Sequence, residues 1–236
     1  DDWLQLSLLG QNWDDSVWVN NYQWILTYDM YSNNTGRLSQ NWDGSVWVNN
    51  YQQTSTYDTN NNKIGYLGQQ WYTGYGWIND QQYTDTYDIN NNIITSLLLD
   101  WNGPDDTEWH NQYYFTYTYD ANNNMISRLQ QSWDQGNNEW TGLYQHTYTY
   151  DSNNNIILEL TQSWDSNNNE WVDGSQTTYT YDTNNNMTIY LAQMWYGTEW
   201  VNLFHYTNTY DANNNMTSFL FQTWDEVANE WINLWY

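Results

Sequence analysis

The sequence predicts an all-β fold of tandem two-strand repeats, and three recurring markers carry that prediction. Trp13, Trp42, Trp71, Trp101, Trp133, Trp164, Trp195 and Trp224 recur at steps of 29, 29, 30, 32, 31, 31 and 29 residues. A second tryptophan follows each of them: Trp18, Trp47, Trp77, Trp109, Trp140, Trp171, Trp200 and Trp231. Between repeats stands a Tyr-Asp pair, ending at Asp29, Asp58, Asp88, Asp120, Asp151, Asp182 and Asp211. Self-similarity at this period marks a repeat architecture. The expected organisation is one array of eight repeats across residues 1–236.

One repeat, from Trp140 to Trp171, reads as two strands and two turns. From Trp140 to Tyr150, aromatic and β-branched residues alternate with a period of two, the signature of a strand. Strict alternation places Trp140, Gly142, Tyr144, His146, Tyr148 and Tyr150 on one face, so indoles and phenols are expected to share a side. Asp151-Ser152-Asn153-Asn154-Asn155 is a polar turn, since Asn tolerates the left-handed conformation and Asp bonds the backbone two residues on. A second strand carries Ile156, Leu158, Leu160, Gln162 and Trp164 on one face. Asp165-Ser166-Asn167-Asn168-Asn169 then turns the chain into Glu170-Trp171. No segment shows helical spacing.

Short turns join antiparallel neighbours, so the expected topology is a long antiparallel meander, as a curled or closed array. A two-sheet β-solenoid is the alternative, because stacked Asn corners stabilise in-register coils. The chain opens with a second-type strand, Trp3 to Trp13, and stops part-way through a first-type strand, Trp231 to Tyr236. The array is therefore read as cut within a repeat at both ends. Ring closure, head-to-tail pairing between copies, or a longer parent array would each satisfy such strand edges.

Composition narrows the function. The formal charge of −25 rests on 28 acids against Arg37, Lys63 and Arg128. Phosphate neutralisation needs clustered bases, which excludes nucleic acid and anionic membrane surfaces as partners. No apolar run reaches transmembrane length, so membrane insertion is not expected. The chain has no cysteine, which removes disulfides and thiolate metal sites.

The string Tyr119-Asp120-Ala121-Asn122-Asn123-Asn124-Met125-Ile126-Ser127-Arg128 resembles the turn of tyrosine–aspartate (YD) repeat proteins, whose hairpins form a long spiralling sheet. The longer unit, nearly complete from Trp109 to Asp134, resembles tandem repeats of secreted Bacteroidota proteins. The period is longer than in YD repeats, Asn stands where Gly is common, and the tryptophan hairpin is additional. The resemblance implies export to the cell surface or medium.

Candidate chemistry is weighed against plain structure. Asp-x-Asn-x-Asn recurs at Asp58/Asn60/Asn62, Asp88/Asn90/Asn92, Asp120/Asn122/Asn124, Asp151/Asn153/Asn155, Asp182/Asn184/Asn186 and Asp211/Asn213/Asn215. Alternate oxygens at this spacing begin a Ca2+ loop, but the glycine at position six and the glutamate at position twelve are missing. A hairpin turn with Asx bonds accounts for the same residues, so Ca2+ is the one cofactor to test. Trp47 with Asn49, and Trp200 with Asn202, pair a stacking ring with an amide, as glycan binding requires, and repetition adds avidity. Tyr114, Tyr190, Phe219 and Phe221 are expected on the face opposite the tryptophans as exposed contacts. Thr-x-Thr ranks such as Thr54/Thr56 and Thr84/Thr86 raise ice binding as a third reading against simple β-propensity. No carboxylate is placed beside a unique His, Ser or Lys, so no enzyme is expected. The sequence reading is an extracellular structural or adhesive repeat protein whose partners are copies of itself or a surface glycan. A lectin-like module is the alternative.

Overall fold

The computed structural model describes residues 4–235; Trp3 and Tyr236 lie outside the described residues. The chain forms sixteen strands: β1 (Leu4–Asp14), β2 (Val17–Tyr28), β3 (Asn34–Trp42), β4 (Trp47–Tyr57), β5 (Lys63–Tyr72), β6 (Gly76–Tyr87), β7 (Ile93–Asp100) and β8 (His110–Tyr119). They continue as β9 (Met125–Asp134), β10 (Glu139–Tyr150), β11 (Ile156–Asp165), β12 (Glu170–Tyr181), β13 (Met187–Trp195), β14 (Trp200–Tyr210), β15 (Met216–Asp225) and β16 (Glu230–Trp235). All sixteen belong to one sheet in sequence order, an antiparallel meander that is not closed. The solenoid alternative is thereby excluded, while asparagines still bridge successive repeats as described below.

Two kinds of turn alternate. In the Tyr-Asp turn, the Asp58 N–H donates to Asn62 O at 2.9 Å and the Asn61 N–H to Asp58 O at 3.2 Å. Asn61 takes φ 66°, and Asn91, Asn123, Asn154, Asn185 and Asn214 lie within a few degrees of it. This is the three-residue hairpin loop that closes through a left-handed residue, a position open to Asn or Gly. The tryptophan turns are more varied, with left-handed Asp15, Asn138, Asn169 or Asn229, or glycines at positive φ.

The faces differ from strict alternation, because β-bulges recur at two places in the repeat. In β4 the register runs Trp42↔Trp47, Asn41↔Val48, Gln40↔Asn49, then skips Asn50 to Ser39↔Tyr51. The same skip falls at Asn21, Asp80, Gly174, Leu203 and Leu234 in β2, β6, β12, β14 and β16. A bulge sets two residues against one and reverses the parity beyond it. Trp171, Asp173, Gln176 and Thr178 therefore share a face with Trp164, Gln162, Leu160 and Leu158. Ser175, Thr177, Tyr179 and Tyr181 turn to the other face. The paired hairpin indoles and the Tyr-Asp phenols do not share a side: one face bears the tryptophan pairs, the other the tyrosines, with Trp24 among them. The second bulge, at Thr35, Ile64, Ile94, Ile157, Thr188 and Thr217, follows six of the Tyr-Asp turns.

The chain separates into two compact units. The first holds residues up to Phe115 with Ser132–Glu139; the second holds Thr116–Gln131 with Trp140 onward. Neither has a conventional core. Among the described residues no large side chain is fully buried, and the buried ones are small: Ala192, Ser39, Ser55 and Asn208. In the first unit, Ser39 and Ser55 lie on the tyrosine face, as do Ala192 and Asn208 in the second. Side chains are thus half-covered by their cross-strand neighbours, each such pair contributing roughly 0.2–1 kcal/mol.

Candidate binding surface

The tryptophan face is assembled from hairpin tips. Paired indoles meet edge to face at centroid separations of 5.2 Å for Trp13–Trp18, Trp42–Trp47, Trp71–Trp77 and Trp101–Trp109 in the first unit. In the second unit Trp164–Trp171, Trp195–Trp200 and Trp224–Trp231 stand at 5.1, 5.3 and 5.0 Å. Edge-to-face contact aligns the positive ring edge with the negative ring face, worth about 0.5–1.5 kcal/mol per pair beyond area burial. Trp13 and Trp18, on the edge strand β1 and its neighbour, are 57% and 59% exposed; the other pairs are half-buried. Small residues admit close packing: a Cβ on Gly142 would lie 3.0 Å from the Trp171 ring and 3.2 Å from Trp164.

Beside the indoles runs a ladder of amides. Gln23 donates to Gln40 at 2.6 Å, and Gln40 to Asn49 at 2.8 Å. Gln52, Gln69 and Asn79 repeat the pattern, as do Gln176, Gln193 and Asn202, at 2.6 to 3.0 Å. His205, Gln222 and Asn233 complete another rung. The predicted residues Asn49 and Asn202 are thus fixed by neighbouring glutamines next to Trp47 and Trp200.

Strand pairing also shapes the spaces between hairpins. β14 pairs with β15 from Phe204↔Thr223 to Tyr210↔Met216 and no further, whereas β13 pairs with β14 out to Trp195↔Trp200. Beyond Phe204 the two strands separate, leaving a cleft of about 290 Å³ lined by Glu199, Trp200, Asn202, Trp224, Glu226 and Asn229. The equivalent cleft in the first unit, about 380 Å³, has Glu108, Trp109, Asn111, Trp133, Gln135 and Asn138 at the same repeat positions. Each cleft opens between the second indole of one repeat and the first of the next.

The predicted calcium residues sit in the Tyr-Asp turns at the opposite strand ends. There the aspartate accepts hydrogen bonds from its own loop. Asp58 Oδ1 takes the N–H groups of Asn60 and Asn62 at 2.8 Å, and Oδ2 takes Asn62 Nδ2 at 3.0 Å. Asp120 with Asn122 and Asn124, Asp151 with Asn153 and Asn155, Asp182 with Asn184 and Asn186, and Asp211 with Asn213 and Asn215 repeat this. Asp88 with Asn90 and Asn92 does the same. The asparagine side chain, followed by the loop amides, holds each of these carboxyls below its ordinary value. Among the described residues no cluster of three His, Cys, Asp or Glu side chains is suited to a metal.

The left-handed asparagine, expected from the sequence as a turn residue, has a second task. Asn61 Oδ1 accepts from Asn33 Nδ2 at 2.9 Å, and Asn91 Oδ1 from Asn62 at 2.8 Å. Asn154, Asn185 and Asn214 accept likewise from the preceding repeat in the second unit. The signal available in the sequence was the middle Asn of each Asn-Asn-Asn run.

On the tyrosine face, Tyr190, Phe219 and Phe221 join Tyr206 and Phe204 in one ring cluster, with centroids 5.1 to 5.8 Å apart. Phe219 is the exposed member, at 40%. Tyr114 departs from expectation. Tyr113 and Phe115 share a face, with centroids 6.3 Å apart, and alternation in β8 sets Tyr114 on the other. It occupies the repeat position of Gln52 and Gln176, which is a tryptophan-face position. The Thr-x-Thr pairs also belong to the tryptophan face, where Thr54 and Thr56 pair with Leu67 and Gly65. Their hydroxyls bond neighbours, as in Thr86 with Thr95 at 2.5 Å and Thr209 with Ser218 at 2.6 Å.

The scarce cations of the first unit lie on its tyrosine face. Lys63 Nζ stands 4.9 Å from the Tyr66 ring and 5.1 Å from Tyr83, and the Arg37 guanidinium 4.8 Å from Trp24. Burial, then the nearby Asp85 carboxylate, pushes the Tyr83 phenol up to about 12. Burial raises Asp85 itself. The proline-containing loop is held by Asp106, which accepts from the Asn102 and Thr107 amides and contacts His110 Nε2 at 2.7 Å. Those bonds, the Asn102 amide foremost, bring its carboxyl down to about 2.

No family model and no curated protein matches the chain. Among solved structures, a DUF3836 family protein from Parabacteroides distasonis is 26% identical over 39% of this chain and 81% of that one, with a TM-score of 0.33. Its counterpart from Bacteroides vulgatus is 23% identical over 40% of this chain and 90% of that one, at 0.32. The Tc holotoxin pore of Photorhabdus luminescens aligns with 97% of this chain at 14% identity and a TM-score of 0.42; the match spans 14% of the toxin chain.

Proposed function

We propose that this chain is an extracellular structural and adhesive repeat segment, of the YD-like kind found in secreted Bacteroidota proteins. It acts by display: one sheet presents the same weak contact site many times. The observation that carries this reading is the recurrence of one indole pair at 5.0–5.3 Å in seven repeats. Equivalent clefts in both units, lined at matching positions, support it further. Multivalent display converts weak single contacts into lasting attachment, because each later contact is intramolecular.

The test is adhesion of the labelled full chain to intact producing cells and their extracellular polymer. Tryptophan pairs would be replaced by Phe in one, two, then three repeats. A stepwise fall in retained protein is expected. Complete loss on altering a single repeat would reveal a unique site and overturn the display reading.

A further inference from the structure

The clefts carry more chemistry than adhesion in general requires. Each combines an indole from either side with an amide and an acidic or amide rim, as in Trp200, Trp224, Asn202, Glu226 and Asn229, where Gln193 holds Asn202. Indoles stack on the C–H faces of pyranose rings, while amide and carboxylate groups bond hydroxyls. Stacking of this kind favours β-linked sugars with equatorial substituents, whose ring faces are flat and apolar. A net charge of −25 disfavours sulfated or uronic-acid polymers, so the fitting sugar is uncharged.

Spacing selects the linkage. Successive tryptophan hairpins within a unit are two strands apart, about 9–10 Å where the strands are paired, and at least that at the indoles, since β14–β15 pairing ends at Phe204. An extended β-1,4-linked chain repeats its disaccharide at close to that interval, so a chain running across the strands would meet one indole pair per disaccharide. The sheet twists by about 20–25° per strand, and bulges increase the twist. A rigid planar crystal face cannot follow such a row, whereas a single solvated chain can.

We propose that the clefts between tryptophan hairpins bind single chains of an uncharged β-1,4-linked polysaccharide, one disaccharide per repeat. This rests on the display reading and names its ligand class. The probe is hydroxyethyl cellulose cast into native gels, with laminarin (β-1,3-linked), heparin and microcrystalline cellulose as comparisons. The full chain should be retarded by hydroxyethyl cellulose and much less by the others. Trp200→Ala with Trp224→Ala should weaken retardation by roughly tenfold, the order expected when one contact leaves a multivalent array. Trp200→Phe with Trp224→Phe keeps rings in the hairpins and should lose less, which guards against a folding artefact. Absence of retardation by hydroxyethyl cellulose, equal retardation by laminarin or heparin, or retardation unchanged in both double variants would overturn the proposal. Stepwise adhesion to cells alongside any of those results would leave display standing and remove only the polysaccharide.

Discussion

Asn154 does two things with one side chain: it holds a left-handed turn at φ 65° and accepts hydrogen bonds from Asn122 and Asn124 of the preceding repeat. An alanine there keeps neither, and the left-handed backbone alone costs a β-carbon residue about 1–2 kcal/mol. Asn154→Ala should therefore lower stability by about that amount, and Asn154→Gly by less, since glycine adopts the conformation freely. Chemical denaturation measures both, and the reverse order would refute this account of the turn. The neighbouring aspartates make the turns sensitive to acid. Asp58 is held below its ordinary 3.8, chiefly by the Asn62 side chain, so its stabilising effect is fully present above 3.8 and disappears as pH falls through the lower folded value. Asp85, raised by burial, acts in the opposite sense, its desolvation being relieved once it protonates. Carboxyl NMR titration should find Asp58 below and Asp85 above the free value. Both oxygens of Asp58 are engaged by loop donors, so millimolar calcium is expected to leave the melting temperature where EDTA leaves it. A rise of several degrees would show that the loop opens to take the ion.

At the level of the hairpin, the bulge is the element that decides which side chains meet. The skipped residues are Asn21, Asn50, Asp80, Gly174, Leu203 and Leu234, with no common chemistry, so what matters is an additional residue rather than a particular one. Gly174→Ala should cost about 1 kcal/mol, because an added Cβ would stand 3.3 Å from the Thr161 backbone carbonyl, tighter than ordinary contact. Deleting Gly174 should instead bring Ser175, Thr177, Tyr179 and Tyr181 to the tryptophan face and abolish cooperative unfolding of the repeats around it. A deletion variant with wild-type near-ultraviolet circular dichroism would refute the parity argument. The same element explains what could be read beforehand. Strand order, the repeat period and the Asp-Asn turns were visible, since Trp, Tyr-Asp and Asn-rich runs mark them in nearly every copy. The division of indoles and phenols between faces was hidden, because counting by twos runs straight through a bulge that has no residue signature. Tyr114 moved to the tryptophan face for that reason. The inter-repeat bridge was concealed differently, in the middle of Asn-Asn-Asn runs where each residue looks alike.

Across the molecule, stability comes from neighbours rather than from a shared interior. Ala192 is the buried hydrophobic residue, and no large described side chain is fully enclosed. Repeat arrays of this kind follow approximately additive nearest-neighbour energetics. The van't Hoff enthalpy of thermal unfolding should accordingly fall below the calorimetric enthalpy, and equality would indicate one cooperative body. With a formal charge of −25, molar sodium chloride should raise the melting temperature by several degrees through screening of self-repulsion. The seven described indole pairs, alike in spacing and mostly edge to face, carry one last consequence. Excited states of two indoles held this near mix and split, producing an exciton couplet in the ultraviolet dichroism spectrum. Its amplitude is an internal gauge of how many hairpin tips remain formed, so the chain reports its own unzipping, tooth by tooth, without a dye.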